Sequence, residues 1–366
     1  MIVRDEEAVL EACLASIDPV VDEIVIVDTG SVDRSLGIAA RYGARILHRP
    51  WDDDFATPRN LGLDHAAGEW ILYIDADERL TGTDRDALEG LLTDAREIAF
   101  RILLRPEVGM TPYLEYRLWR SDPRIRFEGA IHERVVGAIH AVAEADRRPV
   151  TDCLDLLLEH VGYEGDQRRK HLRNLPLLER FVRDHPEHLY ARHHLATVLD
   201  GLERQGEAEA LLEETVAYVR EVAPWDRDGV LVFASLIGLR QAQGKEFGPL
   251  LAEALRRYPD NAVLVFMEGD DLSARGEHEE ALSRFDAVLV IAAQAPAPGK
   301  PAYDRSLIGE RTHAARGVCL FKLGRYADAA AAYAAALQEA PDDLSYAVKH
   351  RLAMSRVDRG ATGTRG

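Results

Sequence analysis

Strands alternating with short helices over the first half, then helices alone over the second, predict an α/β domain with a parallel sheet followed by an all-α helical-repeat domain. Three observations carry this expectation. Apolar runs at 24–27, 44–48 and 70–74 are separated by helix-like segments and bounded by Gly or polar residues. From about residue 170 the strand signals fade, and Ala, Leu and Glu dominate. Three polar clusters, at 4–6, 28–31 and 75–78, follow successive strands and so fall at one end of the sheet. Open sheets bind their ligands at the carboxyl ends of their strands.

Each element has its own reason. The run Ile24-Val25-Ile26-Val27 ends in Asp28-Thr29-Gly30-Ser31-Val32-Asp33, a strand entering a Gly turn, with Ser31 placed to cap the next helix. Residues 44–48 form the next strand, and residues 54–67 a short helix closed by Gly68. The strand at 70–74 runs into Asp75-Ala76-Asp77-Glu78. Two carboxylates one residue apart at a strand end can share a divalent cation, and hard cations such as Mg2+ combine carboxylate with phosphate oxygens. The position therefore suits a metal that holds a diphosphate, although an isolated Asp-x-Asp reads equally as a solvated loop. Residues 100–104 and 115–119 read as further strands, and an apolar run at 156–158 leads to His160.

Taken in order, these segments resemble a known family. Met1-Ile2-Val3-Arg4-Asp5-Glu6, Asp22-Glu23-Ile24-Val25-Ile26-Val27-Asp28-Thr29-Gly30-Ser31, Phe55-Ala56-Thr57-Pro58-Arg59-Asn60 and Trp70-Ile71-Leu72-Tyr73-Ile74-Asp75-Ala76-Asp77-Glu78 are similar, in sequence and spacing, to a bacterial subgroup of family 2 glycosyltransferases. These have the GT-A fold, a Rossmann-like α/β domain. The resemblance covers residues 1–80 and extends to about 165. It departs at the start, because the family's first strand has a few more residues before the position of Met1.

The resemblance implies a metal-dependent, inverting transfer from a nucleotide-diphosphate sugar, with a UDP-sugar favoured, to a hydroxyl or thiol acceptor. Mn2+ or Mg2+ would sit on Asp77 and His160, with Asp75 holding the ribose and touching the metal. Asp28 would accept from the nucleobase N–H, and Arg59 would face the base or the phosphates. Arg4 and Glu6 would line the base and ribose, and Val3, Gly30 and Ala76 complete the donor pocket. On the acceptor side, Arg126-Phe127-Glu128-Gly129-Ala130-Ile131-His132-Glu133 offers Glu133 as general base, with Glu128 as its competitor. A single displacement needs a carboxylate within reach of the attacking group's proton. Lys170, Arg173 and Asn174 also match the subgroup and read as the start of the connecting helix.

The chain has 366 residues, which suits two domains. The expected boundaries are 1–165 for the transferase domain, 166–358 for the helical repeats and 359–366 for a disordered Gly-rich tail. The net charge is −18, from 63 acidic against 45 basic residues. This balance excludes nucleic-acid backbone and anionic membrane as partners, since both need a basic surface. No apolar run reaches the ~18 residues of a membrane span. Residues 1–20 carry acids where a signal peptide has bases. Cys13, Cys153 and Cys319 form no disulfide or zinc pattern and read as buried small hydrophobes. The compartment implied is the cytosol.

The second half resembles the tetratricopeptide repeat, whose period is about 34 residues. Gly206, Gly244, Gly276 and Gly324 mark four turns, each between two helices with small residues facing inward. The Pro-rich stretch 294–301 reads as a loop within the array. A solenoid's concave face can dock a peptide, a protein, a carrier or a second copy as a homodimer. It can equally be a stabilising lobe. Two other readings compete for the whole chain. One is a catalytically degenerate scaffold, against which the intact Asp28, Asp75, Asp77 and His160 argue. The other is a nucleotidyltransferase, which needs a basic phosphate loop where this chain has Arg4-Asp5-Glu6-Glu7.

Overall fold

The computed structural model describes residues 1–106, 109–161, 167–222, 228–293 and 304–363. Among these the chain divides into two compact units, the first reaching from Met1 to His185 and the second taking the remainder.

The first unit follows the α/β alternation. Strands β1 (Ile2–Val3), β2 (Val25–Asp28) and β3 (Arg45–His48) are parallel in the order β1-β2-β3. Helices α1 (Leu10–Ile17) and α2 (Ser35–Arg41) make the crossovers, and α3 (Ala56–His65) follows. Strand β4 (Trp70–Leu72) leads to β5 (Glu78–Thr81) and α4 (Arg85–Leu92). Then come β6 (Ala99–Arg105), β7 (Tyr113–Arg120), α5 (Val136–Asp146), β8 (Val150–His160) and α6 (Gln167–Asp184). These later strands form a second, mixed sheet in the order β4-β7-β6-β8-β5. The expected parallel sheet is thus wholly parallel only in the β1–β3 sheet; in the second, β6 runs parallel to β8, while β4 pairs antiparallel to β7 and β5 antiparallel to β8.

Leu10, Leu14 and Ile17 of α1 pack with Ile26, Ile74, Phe100, Ile102 and Leu158 in one core, and Trp119, Ile125, Phe127 and Ile139 in another. A cavity of about 590 Å3 in this unit is lined by Met1, Val25, Trp70, Leu72, Tyr73 and Leu118, among others. The Met1 ammonium donates to the Val25 carbonyl at 2.9 Å, and burial pushes its pKa down to about 6. Ser31 is not the cap expected of it. Helix α2 begins at Ser35, and the Ser31 hydroxyl instead accepts from the Asp5 backbone N–H. The α5 helix ends on Arg147 in the left-handed region.

The second unit contains helices only among its described residues: α7 (Leu189–Gly201), α8 (Gln205–Glu221), α9 (Gly229–Ala242), α10 (Gly248–Arg257), α11 (Ala262–Ala274), α12 (His278–Ala292), α13 (Arg305–Ile308), α14 (Glu310–Lys322), α15 (Tyr326–Glu339) and α16 (Leu344–Gly363). Four turns between paired helices close in one way. After α9, Gly244 takes a positive φ, its N–H donates to Gln241, and the next N–H reaches back to Arg240. Gly276 and Gly324 repeat this left-handed helix ending. At the first turn the same place is held by Glu203 (φ 64), while Gly206 lies inside α8, so the expectation of a turn at Gly206 is corrected.

Small residues admit aromatic partners. A Cβ on Gly269 would meet the Phe285 ring at 2.8 Å, and one on Gly317 the Tyr333 ring at 2.7 Å. Helix α6 belongs with the first unit, so the division falls at His185 instead of the expected 165. Helix α16 carries on through 363 into the tail expected to be disordered. Residues 364–366 and the Pro-rich stretch 294–301 lie outside the described residues.

Candidate active site

The strand ends of the first unit place the expected residues as follows. Asp28 closes β2 and is buried, with its carboxylate accepting from the N–H groups of Gly30 (3.2 Å) and Ser31 (3.0 Å) and lying 3.4 Å from His48 Nδ1. Burial alone would raise its pKa; the bonds from Ser31, His48 and Gly30 outweigh that and hold it below the usual carboxylate range. Gly30 has φ +114, which a side chain would strain. Val3 is buried, and its carbonyl accepts from the Thr29 N–H, locking the β1 end to the β2 end. Arg4 is exposed. Glu6 follows, its backbone N–H donating to the Ser35 hydroxyl. Burial first and the Asp77 charge second push its carboxyl up to about 7, against the opposing charges of Lys170 and Arg173.

Asp77 and His160 meet through a register that the sequence did not reveal. Strand β5 pairs with β8 so that Glu78 lies opposite His160, and the Val161 N–H donates to the Asp77 carbonyl. This brings His160 Nε2 to 2.8 Å from Asp77 Oδ2. The hydrogen bond to Asp77 raises the pKa of His160, and burial opposes the rise. Ala76, between the two Asp residues, is buried.

Asp75 sits in a different setting. Its Oδ1 accepts from Arg59 Nη1 at 2.8 Å and its Oδ2 from the Tyr73 hydroxyl at 3.1 Å, with Arg117 Nη1 at 3.9 Å. Burial would raise its pKa, yet the guanidinium groups of Arg59 and Arg117 hold it at about 2. Arg117 forms a two-pronged pair with the buried Glu78, at 3.0 and 2.8 Å, and Glu78 also accepts from the Asp75 backbone N–H at 2.8 Å. Burial pushes Glu78 upward in spite of Arg117. Arg59 and Arg117 both lie over the Tyr73 ring, at 4.5 and 4.3 Å from its centre.

Arg59, expected to face the base or the phosphates, lies inward between two carboxylates. Its side chain is 9% exposed, and its Nε donates to Glu133 at 2.5 Å. Glu133 reaches this point because residues 128–134 form a tight loop. Glu128 and Arg134 exchange backbone hydrogen bonds, with Gly129 at φ +102 and His132 at φ 54 making the turn between them. Asn60 clamps the entry to the loop through two hydrogen bonds to the Phe127 backbone, both 2.9 Å, and the Phe55 N–H donates to the Ala130 carbonyl. Glu128, the competing carboxylate, is exposed, while Glu133 is paired with Arg59. Tyr73, Glu78, Arg117 and the Asn60 clamp are the site residues to which sequence reasoning gave no role. Asn60, Tyr73 and Glu78 stand inside the segments that carry the family resemblance, and Arg117 in a strand-like run; Glu78 falls where β5 buries its alternate positions.

A divalent cation fits this chain in part. Asp77 and His160 converge as one oxygen and one nitrogen donor, an acceptable set for Mn2+ or Mg2+. Among the described residues there is no group of three or more His, Cys, Asp or Glu side chains suited to a metal. The remaining positions around an ion here would fall to oxygens of a ligand.

Paired carboxylates, a histidine and buried guanidinium groups thus gather near the strand ends of this α/β domain, the place where open sheets bind their ligands. Residues 1–120 match the family described as Glycosyl transferase family 2, and residues 311–343 match that described as Tetratricopeptide repeat. Residues 1–120 of the first unit are thus similar to family 2 glycosyltransferases, and residues 311–343 of the second to a tetratricopeptide repeat. It is 38% identical over 208 residues to a TPR repeat-containing protein of Synechococcus elongatus, covering 55% of this chain and 51% of that protein. It is 26% identical over 202 residues to the SPbeta prophage-derived glycosyltransferase SunS of Bacillus subtilis, covering 51% and 45%. A lipopolysaccharide core biosynthesis glycosyltransferase, LpsC of Rhizobium meliloti, is 35% identical over 121 residues, covering 31% and 44%. The chain thus spans about half the length of the curated relatives it matches.

Among solved structures, glucosyl-3-phosphoglycerate synthase from Mycobacterium tuberculosis, in complex with Mn2+ and UDP, is 16% identical with a TM-score of 0.35, covering 48% of this chain and 75% of that one. A TPR protein of Thermus thermophilus is 21% identical with a TM-score of 0.35, covering 51% and 91%. No helix among the described residues is long and apolar enough to cross a membrane.

Proposed function

We propose that the first unit is a metal-dependent glycosyltransferase that moves a sugar from a nucleotide-diphosphate sugar, UDP-linked by preference, to a hydroxyl or thiol. The observation that carries this reading is the meeting of Asp77 with His160 at 2.8 Å, beside Asp75 and in the same unit as Asp28, within a family 2 domain. Asp28 and the turn at Gly30 receive the nucleobase, with Arg4 and Glu6 along the base and ribose. Asp77 and His160 would hold Mn2+ or Mg2+, and the cation would supply positive charge against the leaving diphosphate. Asp75, fixed by Arg59 and Tyr73, faces the ribose. Glu133 takes the proton of the attacking group, and a single displacement inverts the anomeric carbon.

The helical unit recognises a peptide, a protein or a carrier bearing the acceptor. A fragment of residues 1–185 should therefore lose turnover on the natural acceptor while keeping donor hydrolysis; full activity of the fragment would remove this role.

Calorimetry of UDP binding, with Mn2+ and with EDTA, tests the donor site. Without a cation the Asp77 carboxylate, which has no guanidinium partner among the described ion pairs, would face the diphosphate as negative charge, so UDP affinity should collapse in EDTA. Equal affinity in both would sink the metal-dependent reading.

A further inference from the structure

Arg59 touches both sides of the proposed site. Its Nη1 holds Asp75 at 2.8 Å on the donor side, and its Nε holds Glu133 at 2.5 Å on the acceptor side. The guanidinium is 9% exposed, and its two carboxylates are 28% and 11% exposed. The aromatic faces of Tyr73 and Phe127 lie at 4.5 and 5.7 Å and leave it little room to swing. One positive charge in a poorly hydrated pocket is thus shared between two negative ones. In such a setting a change of charge on one carboxylate alters how fully the other is neutralised.

We propose that Arg59 is a positioning residue that couples the donor-side Asp75 to the acceptor-side Glu133, so that the hold on one carboxylate sets the charge presented by the other. This rests on the donor and acceptor assignments proposed above. When Glu133 takes a share of Arg59, Asp75 is left partly uncompensated and repels the incoming diphosphate. When Glu133 loses its charge, Arg59 neutralises Asp75 fully and the donor side accepts the diphosphate more readily. By linkage the reverse holds: a diphosphate that draws on Arg59 and Asp75 loosens the tie on Glu133.

The geometry gives the link a specific carrier. Arg117, the other guanidinium over Tyr73, bonds Glu78 through both of its terminal nitrogens and approaches Asp75 only to 3.9 Å, whereas Arg59 bonds Asp75 directly at 2.8 Å. Among the described hydrogen bonds and ion pairs of Glu133, Arg59 is the partner the structure gives it.

The test is a double-mutant cycle on the full chain. UDP affinity is measured by calorimetry in saturating Mn2+ for the wild type, Glu133→Gln, Arg59→Gln and the double variant, with thermal melts to establish folding. Glu133→Gln should tighten UDP about five-fold or more in the wild-type background, at the lower end of typical site-to-site coupling. In the Arg59→Gln background it should change affinity less than two-fold. Arg59→Lys, which keeps the charge but loses the fork, should retain a reduced coupling.

A merely structural ion pair would lower the melting temperature of Glu133→Gln and leave UDP affinity unmoved, and that result overturns the proposal. So does an equal effect of Glu133→Gln in both backgrounds. UDP binding by the wild type with no coupling defeats this inference alone, whereas no UDP binding at all removes the donor-site reading beneath it.

Discussion

The first unit buries a chain of charges, Glu133–Arg59–Asp75 with Arg117–Glu78 beside it, whereas the second fills its interior with Ala, Leu and aromatic side chains and leaves ion pairs such as Arg284–Glu268 and Arg316–Asp286 towards its surface. Arg192 is a buried charge of the second unit, and it is tied to Thr215 and Glu214 within one helical hairpin. The contrast separates two uses of folding energy. Breaking one member of a buried pair leaves an uncompensated charge, at a cost of about 3–5 kcal/mol, while an exposed pair contributes about 0–1 kcal/mol. The first unit therefore trades stability for a preset electrostatic site. The second holds its shape mainly through packing and turn geometry.

That contrast can be broken most sharply at Asp77. Asp77→Asn should leave folding intact, since the side chain is about a quarter exposed and makes no core contact, and should reduce sugar transfer below detection. A circular-dichroism melt beside a transfer assay checks both halves, and unchanged turnover refutes the role. Next comes Glu133→Gln, for which kcat should fall by the roughly 10²–10⁴ of one acid–base group. If Glu128→Gln is inactive and Glu133→Gln active, the base is Glu128.

The electrostatic half of the contrast also has a pH signature. The Asp75 carboxyl is held at about 2 in the fold against 3.8 when unfolded. A depressed carboxylate pKa stabilises above the unfolded value, and this stabilisation is lost as pH falls from 3.8 through about 2. Asp75→Asn should flatten the acid-unfolding curve of a 1–185 fragment in that window; an unchanged curve would show that Asp75 is not held by its guanidinium partners.

In the second unit the expected effects are smaller and steric. Gly317→Ala puts a Cβ 2.7 Å from the buried Tyr333 ring and should destabilise by the ~1–3 kcal/mol of overpacking. Glu203→Gly should do the opposite. It gives the left-handed turn the residue that Gly244, Gly276 and Gly324 supply elsewhere, for a gain of roughly 0.5–1 kcal/mol once the flexibility of Gly is set against the relieved strain. Urea titrations of both variants measure these shifts, and neither should alter UDP affinity.

Much of the fold was legible in local pattern. The runs at 24–27, 44–48 and 70–74 did form or adjoin strands, and the helical half is helical throughout its described residues, because strand alternation and helical periodicity act between near neighbours. What failed was also local but degenerate. Ser31 looked like a helix cap, yet its hydroxyl was taken by Asp5 across the loop. Gly206 looked like a turn, yet Glu203 could bear the left-handed conformation that the hairpin needed three positions earlier. Strand β5 went unseen because Glu78 occupies a buried position that a sequence reading reserves for an apolar residue, and Arg117 and the Asp75 backbone N–H make it tolerable.

The sequence by itself determined where the chemistry-bearing residues stand: at strand ends, each held in place by the apolar run before it. Asp28 ends β2, and Asp75 and Asp77 stand in the turn between β4 and β5. Tertiary structure alone decided which of these groups face one another. Glu133 meets Arg59 across 74 positions, and His160 meets Asp77 across 83. Those meetings depend on strand pairing and on a loop closed by Asn60, which no local period encodes. Partners so distant are chosen by the cost of leaving a charge buried alone, and that cost exists only once the chain has folded around it.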